Sequence, residues 1–96
     1  MKVLINTCYG GFSVSKEVYE RMGKEYDGFG YAFDGERTNP DLISIVEEIG
    51  SERASGSCAN LRVVDIPEEA TDWRIDEYDG SESIVYVLDG KMHDLY

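Results

Sequence analysis

Residues 2–15 read KVLINTCYGGFSVS: a short apolar run, a pair of glycines, then two serines able to open a helix. The run at 2–8 is rich in β-branched residues and ended by Tyr9-Gly10-Gly11, which predicts a buried, central strand. Ser13 or Ser15 can cap the helix that follows. On that helix Val14, Val18, Met22 and Tyr26 recur at four-residue steps along one face. Glu17 with Arg21 and Glu20 with Lys24 make favourable pairs on the other. The helix is expected to stop near Asp27-Gly28.

Further along, Phe29-Gly30-Tyr31-Ala32-Phe33 alternates aromatics at period two and predicts a short strand closed by Asp34-Gly35. The second helix is the clearest element. Asn39 caps it, Pro40 occupies its first turn, and Asp41 complements its dipole. Leu42, Ile45, Val46 and Ile49 then form an i, i+3, i+4, i+7 stripe before Gly50 ends it. Residues 51–60 are a polar connection with room for another helical turn. Strands are predicted at 61–66, stopped by Pro67, then at 73–78 and 84–88. Asp89-Gly90 signals a hairpin into 91–96. The order β-α-β-α-β-β-β predicts one α/β (α+β) domain over residues 1–96. Its expected form is a mixed sheet of about five strands, both helices packed on it, and an antiparallel C-terminal meander.

Composition bounds the function. Ninety-six residues are one domain. The balance of 20 acidic against 9 basic residues gives a net charge of −11, which opposes direct nucleic-acid binding because phosphates are repelled. Such a surface suits solubility, a basic protein partner or mimicry of a nucleic-acid backbone. Seven tyrosines point to a contact surface or a homo-oligomer. No apolar run approaches the ~20 residues a membrane span needs, and Val3-Leu4-Ile5 is too short for a signal-peptide core. Cys8 and Cys58 lack metal or CxxC spacing, so reduced thiols in a cytoplasm are expected.

The candidate ligand site is the segment CYGGFSVS at 8–15. Gly10 and Gly11 free the backbone to turn and leave its amides uncovered, while the helix behind them points its unpaired N–H groups into the same space. Ser13 and Ser15 add hydroxyl donors, Tyr9 and Phe12 could stack on a planar base, and Arg37 could neutralise a phosphate or carboxylate. Against this, the segment matches neither GxGxxG nor GxxxxGK[ST], and a tight turn that merely starts a helix explains it as well. Arg53 and Arg62 compete with Arg37 for the anion. Cys8 as a nucleophile with His93 as base lacks a third partner, so no catalytic residue is assigned. Asp76, Glu77, Asp79 and Glu82 do not follow calcium-loop spacing, and neither a metal nor a cofactor is expected.

The stretches MKVLINTCYGGFSVS, NPDLISIVEEIG, ASGSCANLRVVDIP and WRIDEYDGSE together resemble a family of small hypothetical proteins of bacteriophage and prophage genomes. The resemblance runs in order over most of the chain and implies a shared fold. The family typically closes on a basic, aromatic His-Arg-Thr-Trp-like tail; here the end is His93-Asp94-Leu95-Tyr96, without the basic position. What the resemblance implies is a phage-type anti-defence binding protein in a host cytoplasm. One form sequesters a small anionic, nucleotide-like immune signal as a homo-oligomer. The alternative is an acidic, anti-CRISPR-like inhibitor of a defence nuclease or effector.

Overall fold

A two-stranded ribbon with a hydrophobic core on each side organises the chain, all 96 residues of which are described by a computed structural model. β1 (Lys2–Asn6) and β2 (Leu61–Asp65) pair antiparallel, with Lys2 opposite Asp65 and Asn6 opposite Leu61. Alternation along the strands sends side chains to opposite faces. Leu4, Leu61 and Val63 join the core beneath the helices, whereas Val3, Ile5 and Val64 join the second core. β1 therefore serves both layers, and Val3, Leu4 and Ile5 are fully buried.

On the first face lie α1 (Lys16–Arg21), α2 (Pro40–Ile49) and the single turn α3 (Ser51–Ala54). Ser15 caps α1, its side chain accepting from the Val18 amide, and Asn39 caps α2 by accepting from the Asp41 and Leu42 amides. The core-facing side of α2 is Leu42, Ile43, Val46 and Ile49; Ile43, rather than the expected Ile45, is the buried partner. α1 is shorter than its periodicity suggested. Gly23, at φ +71°, follows its C-cap, and Tyr26 lies beyond it, edge-on to Tyr19 at 5.1 Å.

On the second face β3 (Asp72–Tyr78), β4 (Ser81–Leu88) and β5 (Lys91–Leu95) form an antiparallel meander with β4 in the centre. Ile84 of β4 is fully buried against Val3, Ile5, Val64 and Ile66, with Trp73, Ile75, Tyr86 and Leu95 around it. The layers run helices, ribbon, meander. The α+β class holds and there are five strands, with 91–95 and not 29–33 among them, but instead of one mixed sheet they divide into antiparallel sheets of two and three. Two features separate them. The free edge of β1 is taken by a loop, with the Leu4 amide donating to the Arg37 carbonyl at 2.8 Å. After β2, Pro67 cannot extend the ladder, and a turn closed by Ala70 N–H to Pro67 C=O carries the chain to the other sheet.

Residues 29–33 are not the expected strand but a succession of turns. Gly28 and Gly30 both sit at φ +87°, outside the β region, and Asp27 Oδ1 accepts from the Phe29 and Gly30 amides at 2.8 Å each. An Asx-type turn thus replaces a ladder. The aromatic alternation reflects one inward ring, Phe33, and two outward rings, Phe29 and Tyr31. No helix of the structure is long and apolar enough to cross a membrane.

Candidate functional site

β1 delivers the chain into the 8–15 segment through Asn6, whose buried side chain fixes three neighbouring segments at once. Its amide donates to the Cys8 carbonyl at 2.7 Å and the Gly80 carbonyl at 2.8 Å. Its oxygen accepts from the Cys8 and Asn60 amides. The strand exit, the β3–β4 turn and the approach to β2 are thereby tied to one residue. Close packing explains two glycines here. A Cβ on Gly80 would stand 2.3 Å from the Tyr9 carbonyl oxygen, and one on Gly10 would stand 2.2 Å from the Cβ of Cys58. Gly11 differs: it takes φ +92° with open space around its α-carbon.

The structure brings the candidate residues together, but most of their side chains face the protein. Phe12 is buried, and the Arg37 guanidinium lies over its ring, 3.7 Å from the centroid. Ser13 is buried with its hydroxyl directed to the Ser57 carbonyl, and Ser15 is the α1 cap. Tyr9 is 71% exposed. The backbone keeps some capacity. Among protein acceptors, the amides of Tyr9, Gly10, Phe12 and Ser13 have none, and that of Gly11 reaches only the Cys8 carbonyl at 3.5 Å.

Arg37 is fully engaged. Its Nη1 donates to Glu82 Oε1 at 2.7 Å and to the Leu4 carbonyl at 3.3 Å. Its Nη2 donates to Glu82 Oε2 at 2.8 Å and to Asp34 Oδ1 at 2.9 Å, while Nε donates to the Asp34 carbonyl. The fork is bidentate on Glu82, the geometry that makes arginine–carboxylate pairs strong. Burial works against its charge, yet the hydrogen bonds and fields of Glu82 and Asp34 outweigh that, and the guanidinium is held above its ordinary value. Side-chain exposure is 11% for Arg37 and 8% for Glu82, so the charge expected to neutralise an anion is neutralised within the fold. Arg53 is likewise paired with Glu17, and Arg62 lies over the Tyr96 ring at 5.2 Å.

The acidic residues of the β3–β4 hairpin also have separate duties. Glu82 accepts from the Asn6 amide besides Arg37, Glu77 accepts from the Gly80 amide, and Asp76 pairs with Arg74. His93 stacks on Tyr86 at 5.1 Å in β5, whereas Cys8 belongs to the segment after β1. Two surface depressions lie elsewhere. One of about 430 Å³ is bordered by Ile66, Pro67 and Trp73, and one of about 320 Å³ by Lys2, Pro40 and Ile43.

What sequence reasoning missed is an outward set of aromatic rings around the same segment. Phe29 (70% exposed) and Tyr31 (58%) flank Gly30, whose carbonyl accepts from the Val14 amide. Tyr78 (78%) lies two residues before Gly80, which abuts Tyr9 and Gly11. The signal available was Gly28 before the run and Gly30 inside it, since glycine weakens a strand and suits turns. Comparison with family models, curated proteins and solved structures finds no match for this chain.

Proposed function

We propose that this chain is a binding protein that acts through its acidic, aromatic outer surface, by occupying a basic groove on a protein partner. The observation that carries the reading is the division of labour around residues 8–15. The nearby cation, Arg37, is closed off by Glu82 and Asp34, while Tyr9, Phe29, Tyr31 and Tyr78 stand in solvent. Exposed aromatic rings are the side chains most enriched at interface centres, and a charge of −11 selects a positively charged partner. The resemblance to phage and prophage proteins supplies a setting: inhibition of a defence nuclease or effector, with the acidic surface standing in for nucleic acid.

A second reading keeps the 8–15 segment as an anion cradle that sequesters a nucleotide-like signal. The unpartnered amides of Tyr9, Gly10, Phe12 and Ser13 favour it. With Arg37 engaged, a cation from a second subunit has to complete such a site, which is where the homo-oligomer enters. Native mass spectrometry against a panel of nucleotides and purified DNA-binding nucleases separates the two. The surface reading expects salt-sensitive complexes with a nuclease and no nucleotide captured by the wild type or by a Gly11→Trp variant. Capture of a nucleotide by the wild type, lost in that variant, would replace it with the second reading.

A further inference from the structure

The loop at residues 27–34 holds two aromatic rings in water on an unusually well-fixed backbone. Asp27 Oδ1 accepts from the amides of Phe29 and Gly30, and Asp27 Oδ2 receives the Tyr19 hydroxyl at 3.2 Å. The Ala32 amide donates to that same hydroxyl at 2.9 Å, and Tyr19 itself is fully buried. Gly30 packs so closely on Val14 that an added Cβ would lie 2.5 Å from its carbonyl oxygen. Phe33 anchors the far end in the helix-side core. Between these restraints Phe29 and Tyr31 point outward with their planes within 10° of parallel and centroids 6.2 Å apart. Solvent does not favour that arrangement, since each ring leaves apolar area in water.

The chain that carries the rings is acidic, and the cations that border it are engaged: Lys24 lies over the Phe33 ring at 5.9 Å and Arg37 pairs with Asp34 and Glu82. From Lys24 to Arg37 the intervening chain carries Glu25, Asp27, Asp34 and Glu36 and no cation. Asp34 is 68% exposed at its side chain; its Oδ1 accepts from Arg37 Nη2 at 2.9 Å, its Oδ2 has no protein donor, and its amide donates to the Tyr31 carbonyl at 3.2 Å, one turn after that ring. Flat π-faces beside carboxylates suit a planar, weakly hydrated cation, which is the guanidinium rather than the ammonium group. The fold already uses that chemistry internally, where Arg37 lies over Phe12 while gripping Glu82. A nucleobase would bring phosphates into the same acidic field.

Resting on the acidic-surface reading above, we propose that Phe29 and Tyr31, with Asp34 beside them, are the docking site for an arginine side chain on an arginine-bearing segment of the protein partner. The preformed loop removes ordering cost from binding, as at interface hot spots. The test is an NMR titration of the 96-residue chain with a hexa-arginine peptide at 0.15 M salt, repeated with hexa-lysine and with a Phe29→Ala/Tyr31→Ala variant. Hexa-arginine is expected to bind more tightly than hexa-lysine and to shift the resonances of residues 27–34. The double variant, whose rings are exposed and whose melting temperature should match the wild type, is expected to lose about tenfold in hexa-arginine affinity. Undiminished binding by that variant overturns the loop site and leaves the acidic surface standing. Failure of both peptides to bind the wild type overturns both.

Discussion

Glu82 shows how a single residue fixes the architecture. Its carboxylate lies at 8% exposure between the Arg37 fork and the Asn6 amide, so it joins β4 to the end of β1 and to the loop before α2. Removing one member of such a pair strands the other charge in a site that water barely reaches. An Arg37→Met variant should therefore lose about 3–5 kcal/mol of stability, read from urea midpoints. An Arg37→Met/Glu82→Leu double variant should recover part of that loss; no recovery would mean the pair is not what holds the loop. Gly80 tests close packing in the same neighbourhood. Gly80→Ala meets the Tyr9 carbonyl at 2.3 Å on top of its φ of +90°, whereas Gly90→Ala has φ +75° and open space. Strain at positive φ costs about 1–2 kcal/mol, so Gly90→Ala should lose roughly that much and Gly80→Ala clearly more. Equal losses would show that the turn moves aside freely.

Among the elements, the 27–34 loop has a pH dependence of definite sign. The Gly30 and Phe29 amides, opposed by some desolvation and aided by the Tyr19 hydroxyl, hold the Asp27 carboxyl below its ordinary value of 3.8. The folded chain therefore binds this proton less readily than the unfolded one. The contribution of Asp27 is complete above the ordinary value and fades as pH falls through the lower, folded value. The Phe29 and Gly30 amide resonances should stay constant from neutral pH down to about 4 and move only below it. Asp27→Asn should abolish that movement, because the side chain can no longer take up a proton; an unchanged acid transition would place its origin elsewhere. On the sequence level, α2 was legible in its cap, first-turn proline and bounds, all short-range features, although the stripe put Ile45 where Ile43 is buried. The loop was misread because period two is shared by strands and by turns that alternate inward and outward rings. The two glycines at positive φ decided between them.

For the whole molecule, the middle ribbon couples two cores. Leu42 lies in the helix-side core and Ile84 in the core between the sheets, and both are fully buried. Leu42→Ala and Ile84→Ala should each cost about 2–5 kcal/mol. Because β1 faces both cores, each variant should unfold in one transition seen alike by Trp73 fluorescence and by helical circular dichroism. Separated transitions would show that the layers fold independently. The charge of −11 is spread over this same molecule, so its effect on partners is a property of the surface as a whole.

The chain's sequence by itself determined the α+β class, the cap of α2, the C-terminal meander and the acidic character, and narrowed the α1 cap to Ser13 or Ser15, because each depends on neighbours a few residues apart or on composition alone. It also indicated that residues 8–15 and Arg37 matter. Only the tertiary structure decided what they do. Arg37 meets Glu82, 45 positions away, and Gly80 closes on Tyr9 from another sheet. The 8–15 segment is consequently a packed junction whose arginine is neutralised from within, while the aromatic rings around it stand in solvent. Pairings between residues so distant in the chain have no local signature, since they are set by how three layers stack.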